Sequence, residues 1–203
     1  MGRISISAFL VSGVILSSLA TPALAVKDWG ITTQVGGGEL DCNRPGPDRD
    51  LVAFGPAKLG GKPTFGRFKD ALGKPDVVIS RTQNHVDATW RGAHGAELTF
   101  LSYGSVANRN DLQLQDGYLT GRKWVTDQGL RVGNSRKQLK AAYEEEAWKQ
   151  DDLREGNWWR LAGRCIRGGN EPADYPVLEA QLDERRVLRF QVNVGAAGEF
   201  SRS

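Results

Sequence analysis

The sequence predicts an α+β fold built from two tandem repeats, each a helix followed by an antiparallel sheet, behind an N-terminal signal peptide. Three observations carry that expectation. The stretch 126–143, TDQGLRVGNSRKQLKAAY, joins a glycine-punctuated extended piece to a capped amphipathic helix. A weaker copy of the pattern lies upstream, around Gly60-Gly61-Lys62-Pro63 and Thr64. Each copy is followed by short apolar runs, and the clearest of them alternate apolar and polar residues, the signature of half-buried antiparallel strands.

The first 25 residues read as an export signal. Arg3 supplies the positive start, 9–19 is an apolar run, and Pro22 precedes the small-x-small site Ala23-Leu24-Ala25. The run is shorter than the ~20 apolar residues that a bilayer requires. No cysteine stands at the cleavage point, so a lipid anchor is not expected. Myristoylation fails because Ile6 stands where Ser or Thr is needed. The expected product begins at Val26 and is secreted or held at the cell-envelope exterior, with no integral membrane span.

The charges nearly balance: 27 basic against 24 acidic residues, net +3. Such a balance argues against nucleic acid and against a charged membrane surface as partners. Two cysteines, Cys42 and Cys165, are expected to form one disulfide in an oxidising compartment. Without a Cys-x-x-Cys spacing, a reactive pair is the poorer reading.

Residues 26–50 read as an N-terminal arm. Trp29, Ile31 and Val35 suggest a short strand, and Gly36-Gly37-Gly38 interrupts it. No phosphate-loop pattern surrounds those glycines. Arg44-Pro45-Gly46-Pro47-Asp48 is a turn.

The first repeat covers 51–123. Leu51, Val52 and Phe54 form its apolar entry, Thr64 caps a helix, and Phe65, Phe68 and Leu72 share one face. Gly73 ends that helix and Pro75 prevents its return. Strands are expected at 77–79, 88–91 and 98–100, with a weaker one around 112–114.

The second repeat covers 124–195. Ser135 aligns with Thr64, Leu139 with Phe68, Ala142 with Ala71 and Tyr143 with Leu72. The helix has room to run on through Glu144-Glu145-Glu146 to Trp148, with the acids on a solvated face. Trp158-Trp159-Arg160-Leu161 reads as a strand, and 177–182 with 187–194 as a hairpin turning at 183–186. A loose tail, 196–203, follows.

Helix material followed by three or four antiparallel strands, twice over on an exported chain, resembles the β-lactamase inhibitory protein fold. It is similar as well to the single-unit outer-membrane assembly lipoprotein domain of the SmpA/OmlA type. The residues carrying the likeness are Gly129-Leu130-Arg131-Val132-Gly133-Asn134-Ser135 with Leu139 and Tyr143, Leu72-Gly73-Lys74-Pro75, and the Trp-bearing segments at Trp90 and Trp158-Trp159. The resemblance spans roughly 51–194 and implies protein binding through a concave sheet face. No inhibitor contact residue carries over, and a cysteine pair bridging regions departs from the inhibitor pattern.

The catalytic inventory is thin. His85 and His94 are the two histidines, both at expected turns, and neither sits in a metal-ligand spacing. No nucleophile elbow is present. The sequence assigns no catalytic residue, metal or cofactor. Its better signal is a surface. With period two, Trp159 and Leu161 face the core, leaving Trp158 and Arg160 on the outer face beside Glu179, Gln181, Arg189 and Gln191 of the last hairpin. An aromatic side chain among arginines suits recognition of a protein partner. The expected function is a non-enzymatic binding module that docks or inhibits a protein. The alternative is an envelope-associated hydrolase or carbohydrate-active enzyme using His94 and nearby carboxylates.

Overall fold

The computed structural model of the protein describes residues 27–35, 49–58, 63–143, 157–163, 166–168, 171–173 and 177–194. The expected signal peptide, Cys42, Cys165, the glutamate triplet 144–146 and the 196–203 tail lie outside them. The described residues include no helix long and apolar enough to cross a membrane.

The chain opens with β1 (Trp29–Val35), β2 (Arg49–Phe54) and β3 (Ala57–Lys58). Helix α1 (Phe65–Leu72) follows, then β4 (Val77–Thr82), β5 (His85–Trp90), β6 (Ala96–Leu101), β7 (Gln113–Leu119) and β8 (Trp124–Thr126). Helix α2 (Arg136–Ala142) leads to β9 (Asn157–Ala162), β10 (Ile166–Gly168), β11 (Glu171–Ala173), β12 (Val177–Leu182) and β13 (Val187–Asn193).

This architecture corrects the two-repeat expectation. Strands from both halves form one seven-stranded antiparallel sheet, ordered β4-β5-β6-β7-β13-β12-β9. The join is at β7 and β13, where Leu119 pairs with Phe190 and Gly117 with Val192. Two separate sheets would each leave an open edge there, with a row of unpaired N–H and C=O groups; fusing them satisfies both rows. A second sheet, ordered β3-β2-β1-β8, joins strands from 26–50 with strands further along the chain. Strand β1 pairs antiparallel with β2 and parallel with β8, setting Trp29 beside Trp124.

Both helices start where local chemistry places them. The Thr64 hydroxyl accepts from the Arg67 N–H, and Ser135 forms a full capping box with Gln138. Helix α1 closes at Gly73, with φ near 83°, and the Trp90 indole donates to the Gly73 carbonyl at 2.8 Å. Helix α2 closes at Ala142 with Tyr143 as its C-cap, and the continuation expected through 144–148 lies outside the described residues.

The core lies between the two sheets and under α1. Phe54 of the small sheet meets Phe68 of the helix at 5.6 Å, and Phe68 meets Phe100 of the large sheet at 5.6 Å. All three are fully buried, as are Trp124, Leu139 and Phe190. Polar clamps hold the N-terminal strand. Asp28 binds Arg131 at 2.7 Å and Lys123 at 3.2 Å, and these partners bring its pKa down to about 2. Asp127 takes Arg49 at 3.0 Å and the Thr33 hydroxyl at 3.0 Å.

Candidate interaction face

One face of the seven-stranded sheet packs into the core; the other carries the chain's polar strand positions. Pairing determines which residues share it. Gln181 lies opposite both Trp158 and Arg189, and Glu179 opposite both Arg160 and Gln191. The six residues singled out from the sequence therefore form one contiguous patch on β9, β12 and β13. Tyr118 joins them, opposite Gln191 on β7.

Within the patch Arg189 is the centre. Its guanidinium sits 4.0 Å from the Tyr118 ring centroid and 5.6 Å from that of Trp158, and its Nε donates to Gln181 Oε1 at 2.7 Å. The two rings are 6.5 Å apart. Stacking and the amide bond fix the cation in one orientation, so little rotamer freedom is left to lose on binding. Arg160 reaches Glu179 Oε1 at 3.4 Å.

Burial refines the expectation for two members. Trp158 is 4 % exposed and Glu179 2 %, although both stand on the outer face. The long arginine side chains lie flat across the strands instead of pointing outward, as their aliphatic stems allow. Trp158 thus supports Arg189 from below and offers little contact area itself. Arg160, Gln181, Arg189 and Gln191 are half-buried and form the accessible part.

The other half of the face holds a groove of about 570 Å³ across β4 to β7. Ile79, Arg81, Asp87, Glu97, Asp116 and Tyr118 line it, with His85 and Thr99. Asp87 accepts from Arg81 Nε at 2.7 Å and from the Thr99 hydroxyl at 3.1 Å, and its Oδ1 is 3.2 Å from His85 Nε2. Burial works to raise the Asp87 pKa, but these hydrogen bonds outweigh it and hold the carboxyl below its ordinary value. Asp116 moves the other way: burial raises its pKa, and the Asp87 charge adds to that, against an opposing hydrogen bond with Thr99.

Sequence reasoning missed this groove. Its signal was the polar half of the alternation in QLQDGYL, where Asp116 and Tyr118 fall on one face. The histidines part company. His85 belongs to the groove, whereas His94 Nε2 carries its proton to the Lys27 carbonyl at 2.8 Å and its ring packs edge-on to Trp29 at 6.2 Å. His94 is thereby a strut for the N-terminal strand. The described residues include no group of three or more His, Cys, Asp or Glu side chains arranged to hold a metal.

No protein-family profile and no curated protein matches the chain. Among solved structures it is similar to an extracellular protein containing an SCP domain from Bacillus anthracis str. Ames, at 6 % identity and a TM-score of 0.39 over 66 % of this chain and 43 % of that one. It is also similar to a cysteine-rich secretory protein from Staphylococcus aureus subsp. aureus Mu50, at 10 % identity and a TM-score of 0.37, covering 66 % and 44 %. The chain spans less than half the length of either, and superpositions this partial carry no functional argument.

Proposed function

We propose that this is an exported, non-enzymatic binding module that docks a protein partner on the outer face of its large sheet. The observation that carries the reading is the Tyr118–Arg189–Trp158 stack, a pre-oriented cation on an aromatic bed with accessible amides on either side. Arginine and aromatic anchors are enriched among residues that dominate protein interfaces. The expected export signal and the expected Cys42–Cys165 bridge support an encounter outside the cytoplasm. From the family resemblance, only the expectation of protein binding through a sheet face is retained.

The test is affinity capture by the mature, oxidised protein from its own medium and envelope, compared with the Arg189→Glu variant. A dominant protein captured by the native chain and lost with Arg189→Glu, at unchanged circular dichroism, supports the reading. Equal capture by both overturns the site.

One observation favours a hydrolase or carbohydrate-active enzyme instead: two carboxyls in one groove, Asp87 and Asp116, displaced in opposite directions. In that reading Asp116 is the acid and Asp87 the base. Release of fragments from envelope glycan, abolished by Asp116→Asn, would move it ahead.

A further inference from the structure

Strand β4 is the outermost strand of the large sheet, and the described residues include no second strand paired to it. The opposite edge is met by the small sheet: the Gly163 N–H, just past β9, donates to the Arg49 carbonyl at 2.8 Å. Exposed edges are normally guarded by charge, proline or a bulge. In β4 the bulge comes late, between Ser80 and Thr82, leaving 77–80 regular. The strand's one charge, Arg81, is drawn inward over the sheet to Asp87. Meanwhile Val78 is 46 % exposed and Ile79 50 %, apolar surface on both sides of the same edge.

We infer that β4 pairs with β4 of a second copy of this chain, antiparallel across a two-fold axis at Val78. The segment Asp76-Val77-Val78-Ile79-Ser80 is complementary to itself in that register. Val78 lies opposite Val78, Val77 opposite Ile79 in both directions, and Ser80 opposite Asp76, whose carboxylate can accept from the hydroxyl. Every apolar side chain meets an apolar one on its own face of the sheet, as cross-strand pairing rewards. A two-residue shift to an axis at Ile79 would set Val78 against Ser80 and Val77 against Arg81. The two-fold keeps both outer faces on the same side, so the dimer carries two Arg189 stacks on one continuous surface. This inference is independent of what the face binds.

The test uses the full mature chain. Light scattering across a concentration series should show a dimer that dissociates on dilution. Val78→Lys, which sets like charges opposite each other on the axis, should leave a monomer with an unchanged circular dichroism spectrum. Val78→Cys should cross-link in high yield on mild oxidation, because directly opposed antiparallel residues sit ~4.5–5.5 Å apart at Cα, within disulfide range. Thr82→Cys, displaced along the strand from the axis, should not. A native monomer at the highest soluble concentration, a dimer that survives Val78→Lys, or preferential cross-linking at Thr82→Cys would each overturn the proposal.

Discussion

Gly163 and Arg49 are hydrogen-bonded neighbours, the N–H of one 2.8 Å from the carbonyl of the other. This contact brings the end of β9 to the start of β2. Cys165 lies two residues beyond Gly163, and Cys42 seven residues before Arg49. The two routes to the cysteines leave from one place, so a bridge between them closes a long loop of chain. Non-reducing peptide mapping of the protein folded under oxidising conditions should recover a Cys42–Cys165 peptide pair. Reduction should cost about 2–4 kcal/mol of stability. Two alkylatable thiols in the oxidised protein would rule the bridge out.

Asp116 should make stability pH-dependent in a defined direction. Its raised pKa means that the folded protein holds the proton more tightly than the unfolded chain. The resulting stability is complete below the ordinary aspartate value of 3.8 and is lost as pH rises through the folded value. Asp116→Asn, which cannot ionise, should therefore raise the melting temperature at pH 7 by roughly 1–3 °C. The difference should vanish or reverse below pH 3.8. Equal shifts at both pH values would mean that packing, not charge, governs the site.

Gly121 should tolerate no side chain. A Cβ there would run into the Ala93 carbonyl oxygen and the Gly95 nitrogen, both backbone atoms of the β5–β6 connection. That close approach lets the Gly121 N–H donate to the Gly95 carbonyl at 2.9 Å and brings Trp124 into the core. Gly121→Ala should destabilise by about 1–3 kcal/mol or more. Chemical denaturation reads it directly, and a change below about 0.5 kcal/mol would contradict the packing.

Ser135→Ala should cost about 1 kcal/mol by removing the N-cap of α2. Ser135→Asp should recover most of the loss, since a carboxylate accepts the same N–H and suits the helix N-terminus. Failure of the aspartate to rescue would point instead to the bridge between Ser135 and Arg186 as the main role of this residue.

These elements were unequally legible in the sequence. Thr64, Ser135 and Gly73 were readable because caps depend on atoms a few residues apart. The alternation of Phe190, Val192 and Val194 was readable for the same reason, but Leu188, expected on their face, is 46 % exposed and Val187 is buried in its place, because the pairing shifts register between Gln181 and Leu182. The partnership of β7 with β13, and of β1 with β8, was not, because nothing in a strand's own residues names the strand it will pair with. The two-repeat expectation failed at that point. At the interaction face, periodicity placed Trp158, Arg160, Glu179, Gln181, Arg189 and Gln191 on one side. It could not foresee that Arg189 would lie over Trp158, since side-chain conformation is settled by neighbours from three strands. Asp116 and Tyr118 escaped notice because β7 was read only as far as Leu114.

The pairing of Trp29 with Trp124 bears on the order of assembly. In a chain made N-terminus first, β1 emerges early, yet its parallel neighbour follows only after all of β4 to β7. Closure of the small sheet therefore waits on a contact distant in sequence, which slows folding. During that interval Trp29 and Ile31 remain uncovered, a period of exposure that a holding factor would shorten.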